Sequence, residues 1–391
     1  MSPPQLVALI AVALLAIEVF AWGIGRAVAW VLSHPLPDRR RFLAEQTRLL
    51  RRLLDEPTLR EDFHPLLGWQ YRPGHQSATD HLSGQGLRSA REYASDPPAG
   101  TLRIAVFGDS YVYCNEVADA ESWPQQIETG WRAEVLNYGV GGYGADQAFL
   151  RFREQGLTLR PRAVILGFTS MMITRMVSRY RRFQDLQDGP WFKPRFALDG
   201  DGLRLVPAPI RSPEDAEALV RKPASVTAFG VDDYWYNPAV FEHRMYRWSA
   251  TYRLLGYVWP MVRRRYLRPD RIHKGGQLNP VSEAFEITRR VYRDFAAAAR
   301  AAGVEPLALM LPARSEVEEF AHLGTVPYAS LRAAIEHLGI RVVDPVRALT
   351  SAGVPLPELF APLGHYSARG NAVVAREIAR ILDLAPRSEG P

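Results

Sequence analysis

The sequence predicts an α/β protein: a central parallel sheet with helices on both faces. Three observations predict it. First, short and mostly apolar runs recur at 102–107, 134–138, 163–168, 306–311 and 340–344. Runs this short with so few polar positions fit strands buried on both sides. Second, apolar residues spaced by three and four around 282–302, 328–338 and 368–382 read as helices, so that strands alternate with helices along the chain. Third, the first run stops abruptly on Gly108-Asp109-Ser110. This is a strand giving way to a turn at the carboxyl edge, where such sheets carry their chemistry.

With 391 residues, 47% hydrophobic and 23% charged, the chain can build one large core with additions or two modest domains. The net charge of +6 is carried almost wholly by arginine, since lysine occurs only at 193, 222 and 274. No zinc, helix-turn-helix or RNA-binding signature accompanies it, so nucleic acid is not an expected partner. Cys114 is the single cysteine, which rules out an intramolecular disulfide and leaves the redox compartment open. Without a local basic group to lower its pKa it reads as a buried packing thiol.

Residues 1–34 read as an N-terminal transmembrane anchor, because 5–33 are nearly all apolar and long enough to cross a bilayer as a helix. Glu18 and Arg26 interrupt the run, and charges inside a span face protein or reach toward an interface. Either a membrane protein contacts Glu18, or the anchor is tilted with Arg26 near the headgroups. A cleaved signal peptide fits poorly, since no basic residue precedes the apolar run. Arg39, Arg40, Arg41, Arg48, Arg51 and Arg52 all follow it, and the positive-inside rule would keep the main domain in the cytoplasm.

Residues 35–99 form an amphipathic spacer and lead-in segment. Phe42, Leu49, Leu50, Leu53 and Leu54 line one side of a helix over 37–54, which either lies on headgroups or serves as a spacer. Gly68-Trp69 with Pro73, then Gly86-Leu87-Arg88, precede the first core strand. His64, His75 and His81 are clustered, but with no cysteine and no helical i, i+4 pair among them no metal site is expected. The core domain is placed at 100–385, interrupted by an inserted cap at 176–280, with 386–391 as a tail. The cap holds a hairpin over 195–206, turning on Asp199-Gly200-Asp201-Gly202. Its run 244–266 interleaves arginines with aromatics, which suits a sugar chain, a phosphate or a membrane surface, or else an amphipathic helix with solvated arginines.

Three motifs follow one another in the core: Gly108-Asp109-Ser110 after the first strand, Asn137-Tyr138-Gly139-Val140-Gly141-Gly142 after the second, and Gly364-His365 with Gly370 before the last helix. A serine hydroxyl becomes a nucleophile when a histidine removes its proton and donors hold the oxyanion that develops. Ser110 offers a hydroxyl and its own amide, His365 a base, and Gly142 an unobstructed N–H. In this order the motifs resemble those of the SGNH hydrolase superfamily, the GDSL-type lipases, esterases and O-acyltransferase-like proteins, over roughly 64–385. The resemblance implies a flavodoxin-like three-layer sandwich, no cofactor, Ser110 as nucleophile, His365 as base, and an oxyanion hole from Ser110 and Gly142. Two positions depart from it. Pro362 stands where an aspartate would orient the histidine, leaving Glu358, an acid from elsewhere in the fold, or a Ser110–His365 dyad. Met171 or Met172 stands where an oxyanion asparagine would fall, with Thr169 or Ser170 as substitute donors.

The expected activity is that of a membrane-anchored serine acyl hydrolase or O-acyltransferase working through an acyl-serine at Ser110. Its expected partners are the membrane, an acylated glycan or lipid-linked substrate, and a membrane protein. The alternative is a catalytically degenerate relative that binds glycan or scaffolds a membrane partner. The resemblance also implies a single-pass inner-membrane protein with a periplasmic main domain, opposite to the positive-inside signal.

Overall fold

The computed structural model describes residues 1–31 and 36–387. The chain divides into two compact units: Glu56–Val177, Phe192–Ser212 and Ile272–Pro391 form one, and Met1–Asp55, Ser178–Trp191 and Pro213–Arg271 the other. In chain order, helices α1 (Pro3–Val31) and α2 (Arg39–Asp55) precede strand β1 (Leu102–Phe107). Helix α3 (Trp123–Gly130) leads to β2 (Ala133–Asn137), and α4 (Ala145–Gln155) to β3 (Ala163–Phe168). Helices α5 (Ala250–Val262) and α6 (Glu283–Ala301) come before β4 (Glu305–Met310), and β5 (Arg341–Val343) before α7 (Ala368–Ile381).

The first unit is built on one sheet in the order β2-β1-β3-β4-β5, every pairing parallel. Successive strand residues point to opposite faces, and all six residues of β3 are buried, so both faces are covered. Helix α3 packs with α7, and α4 with α6, giving the three layers. Helix α6 shows how the pattern drives this. Ser282 caps it by accepting the Phe285 N–H at 3.2 Å, and Ala284, Ile287, Thr288, Val291, Phe295 and Ala299 make its buried stripe. Strand order reverses between β1 and β3, the crevice where such sheets bind their ligands.

The segment 176–280 does not act as one insertion. Residues 192–212 belong to the sheet unit, because polar groups tie the hairpin Arg195–Asp199 and Gly202–Val206 to it. Arg195 pairs with Glu283 on α6, and Arg290 donates to the carbonyls of Gly200 and Gly202 at 2.6 and 2.8 Å. The Lys193 ammonium meets the Asp146 carboxylate at 2.5 Å, with both side chains fully buried.

In the second unit α2 turns its apolar stripe inward. Phe42 lies 4.9 Å from the Phe241 ring and 6.1 Å from Tyr180, centroid to centroid, and buried Arg182 reaches Glu45 at 2.8 Å. This helix is therefore neither a free spacer nor a headgroup-facing helix on its apolar side. Helix α1 is long and apolar enough to cross a membrane, with a mean hydropathy of 2.5 over an 18-residue window, and among its residues only Ala21 and Gly25 are buried. Glu18 finds its partner within the chain. Its carboxylate accepts the Ser249 hydroxyl and the Ala250 N–H, each at 2.5 Å, at the start of α5 where a helix favours negative charge.

Candidate active site

Strand β1 ends at Phe107 and the chain turns at once into a single helical turn, Ser110–Tyr113. Two glycines make room for it. A Cβ on Gly108 would lie 2.4 Å from Val112 Cγ2, and one on Gly167 of β3 would lie 2.5 Å from the same atom. Asp109 caps the turn by accepting the Tyr111 N–H at 3.0 Å. Its other oxygen accepts the Thr169 hydroxyl at 2.9 Å and the Arg175 guanidinium at 3.0 Å, and Arg175 also donates to the Tyr143 carbonyl at 2.8 Å. The ends of β1 and β3 and the loop after β2 are thus pinned to one carboxylate.

The loop after β2 runs along the end of β1, with Tyr138 N–H on the Val106 carbonyl at 2.9 Å and Val140 N–H on that of Gly108 at 3.1 Å. Asn137 donates to the Val112 carbonyl at 3.0 Å. Gly142 adopts φ +82°, the left-handed region that favours glycine. The lead-in segment props this loop: the Tyr71 hydroxyl accepts the Gly141 N–H at 2.9 Å, and the Tyr143 hydroxyl donates to the Trp69 carbonyl.

His365 stands just before α7, whose cap is Ser367, accepting the Gly370 N–H at 3.3 Å. The Tyr111 hydroxyl donates to the Gly364 carbonyl at 2.9 Å, and its ring lies 5.0 Å from the His365 ring. The fold thereby sets His365 Nε2 at 2.8 Å from Ser110 Oγ, across 255 residues of sequence.

The acid beside this histidine is Glu116. One of its carboxylate oxygens accepts the Leu363 N–H at 2.6 Å. The other accepts the His365 N–H at 3.0 Å and lies 2.6 Å from His365 Nδ1. A carboxylate only accepts, so Nδ1 carries the proton and Nε2 turns its lone pair to the Ser110 hydroxyl. Glu358 is elsewhere: it pairs at the surface with Arg369. The dyad reading also gives way, since a carboxylate does orient the ring.

Glu116 escaped sequence reading because it follows the serine, whereas the resemblance sets the acid just ahead of the histidine. It lies in a loop without periodicity, where Cys114 and Glu116 both take left-handed φ, +65° and +73°. What holds that loop is Arg88, with its side chain 2% exposed. It donates to the carbonyls of Tyr113 and Cys114, to that of Val117 at 2.6 Å, and to the Asp119 carboxylate at 2.9 Å. The Gly86-Leu87-Arg88 motif was the available signal, since a buried arginine needs a cage of acceptors.

Burial would raise the Glu116 carboxyl, but the amides of His365 and Leu363 and the His365 ring outweigh it, and the pKa lies below the ordinary value of 4.5. A depressed carboxylate contributes stability above its unfolded pKa and loses it as pH falls through the lower folded value. Glu116 therefore gives up its charge at a lower pH than an unperturbed glutamate does.

Of the remaining donors, the Ser110 amide opens a helical turn, a position with no acceptor inside the helix. The Thr169 hydroxyl is committed to Asp109, and the Ser170 hydroxyl oxygen is itself buried, beside the Glu316 carboxyl, so neither substitute for the absent asparagine presents a hydroxyl at the surface. Met172 is buried and Met171 exposed. His64 Nδ1 accepts the Leu67 N–H at 3.1 Å and His81 Nδ1 lies 2.8 Å from Asp119. Among the described residues no three metal-ligating side chains converge.

Cys114 is part of the same loop, 2% exposed, and burial pushes its thiol up to about 12. The thiolate is the reactive form. The folded protein is thus expected to resist a thiol reagent at neutral pH and to react once denatured, and prompt labelling of the native chain would contradict this placement.

No family model and no curated protein matches the sequence. Solved structures do. A member of the lipolytic protein G-D-S-L family from Veillonella parvula is similar at 12% identity, covering 72% of this chain and 99% of that one, with a TM-score of 0.34. A GDSL-like lipase from Bacteroides thetaiotaomicron is similar at 13% identity, covering 74% and 92%, with a TM-score of 0.34. An acetyl-xylooligosaccharide esterase from Geobacillus is similar at 10% identity, covering 72% and 94%, with a TM-score of 0.35.

Proposed function

We propose that this chain is a serine acyl hydrolase or O-acyltransferase of SGNH type, anchored to the inner membrane by α1, with its main domain in the periplasm. The observation that carries the catalytic part is the unbroken hydrogen-bond chain from Ser110 Oγ through the His365 ring to Glu116. Ser110 Oγ attacks an ester carbonyl while His365 Nε2 takes its proton, and Glu116 stabilises the imidazolium that forms. The Ser110 and Gly142 amides receive the developing oxyanion. Collapse transfers the proton from His365 to the departing alcohol and leaves acyl-Ser110. Water then releases the acid in a hydrolase, or an acceptor hydroxyl takes the acyl group in a transferase. The apolar α1 and the arginine–aromatic run 244–266 support an acylated glycan or lipid-linked substrate. A degenerate binding protein would have no use for the hydrogen-bonded Ser110–His365–Glu116 arrangement.

The test is labelling of the full chain in detergent with a fluorophosphonate, followed by mapping of the modified residue. Labelling should fall on Ser110, vanish in Ser110→Ala and drop steeply in His365→Ala. A folded protein that takes no label would turn the assignment toward a binding or scaffold role.

A further inference from the structure

Residues 244–268 carry seven arginines and no acid. Within this segment no residue of α5 is fully buried. Leu255 and Trp259, four apart on α5, are 60% and 58% exposed; Tyr266, in the wider π-helical turn Arg263–Leu267 that follows, is 61% exposed, and Trp248 just before the helix is 72% exposed. A spacing of four puts side chains on one helical face. Arg244, Arg247, Arg263 and Arg265 are exposed around them. An apolar aromatic face rimmed by arginines is the composition of a helix that lies in the plane of a bilayer surface.

Its place relative to α1 supports the same occupant. Ala250 and Arg253 line one groove with Ala21, Trp22, Gly25, Arg26, Ala29 and Trp30 of α1. Arg26 sits 5.1 Å over the Trp22 ring. About 20 residues of helix cross the hydrocarbon, so counting from the start of α1 brings Trp22 to Trp30 to the exit interface, where tryptophan and arginine collect. Glu18 binds the first turn of α5 at that end, and Ala21, Gly25 and Ala29 form a small-residue stripe of the kind that lets helices approach closely.

We propose that residues 244–268 are a second membrane-contacting element, embedded in the leaflet through which α1 exits. Trp248, Leu255, Trp259 and Tyr266 lie among the acyl chains, and the surrounding arginines sit on anionic lipid phosphates. The proposal rests on the α1 anchor. It would give this unit a fixed depth and tilt on the bilayer, which a single helix does not.

The test uses the full chain in phosphatidylcholine vesicles with and without phosphatidylglycerol. Nitroxides are placed one at a time at Leu9→Cys in α1, at Leu255→Cys, and at exposed Val281→Cys as the aqueous reference. Labels 9 and 255 should collide with oxygen in preference to a water-soluble nickel chelate, and label 281 the reverse. Anionic lipid should deepen label 255, and Arg263→Gln with Arg265→Gln should remove that response. If label 9 is in lipid while label 255 behaves as 281 does, the second contact is refuted and the anchor stands. A label at 255 shielded from both reagents means that protein covers the face, which also refutes it. If label 9 is aqueous the anchor itself fails. Equal depth of label 255 in both lipid mixtures overturns the role given to the arginines.

Discussion

Replacing Glu116 by alanine should lower kcat/KM on an activated ester by about 100- to 10,000-fold, the range set by general-base catalysis and by loss of the orienting acid in a triad. The geometry explains why so much depends on one surface-loop carboxylate. Glu116 accepts two backbone N–H groups from the histidine's own segment as well as the ring proton. Alanine therefore frees the ring, the tautomer and the Leu363–His365 backbone together. Glu116→Gln should lose less. Its carbonyl oxygen can occupy the position where the His365 N–H and Nδ1–H converge, keeping the tautomer while losing the charge that stabilises the imidazolium. Glu358→Ala should leave turnover near that of the unaltered protein, because Glu358 engages only Arg369 and its own neighbourhood. Steady-state kinetics on the three variants decide the matter: a collapse in Glu358→Ala with normal Glu116→Ala would reverse the assignment of the acid.

Arg88→Met should destabilise the sheet unit by about 3–5 kcal/mol, the cost of leaving the partners of a buried charge uncompensated. The guanidinium satisfies three backbone carbonyls and the Asp119 carboxylate, and methionine satisfies none. Arg160→Gln is the contrast. Its pair with Asp96 at 2.7 Å is exposed on both sides, and its loss should cost under about 1 kcal/mol. Denaturant unfolding curves measure both. Arg88 is also a positioning residue for catalysis, since it clamps the loop that carries Glu116. At a temperature where Arg88→Met is folded, its kcat should remain low while KM changes little, and Glu116→Ala added to it should cost less than in the parent chain. Additive losses from the two substitutions would show that Arg88 acts on stability alone.

The strands, the hairpin at 195–206 and the helices at 282–302, 328–338 and 368–382 were legible because each is written in local periodicity, which burial on one or two faces imposes on a contiguous stretch. Their ends moved by a residue or so. Strand β2 runs over Ala133–Asn137 and β4 over Glu305–Met310, since pairing with a neighbour, and not apolarity, decides where a strand stops. The position of Ser110 after the first strand was legible for the same reason, and that of His365 from its place ahead of a capped helix.

What was not legible depends on groups far apart in sequence. Nothing local marks Glu116 as the acid, because its role arises only when Arg88 holds the 113–117 loop in left-handed conformations and the loop before α7 brings two amides and a ring to meet it. The partner of Glu18, 232 residues away at Ala250, is equally invisible, as is the division of 176–280 between two units. By itself the sequence determined the sheet, its order of elements and the turn that carries Ser110, since periodic burial and glycine sterics act over a few residues. The tertiary structure alone decided which carboxylate serves the histidine, because a buried hydrogen-bonding group takes the partner that geometry supplies and not the one nearest along the chain.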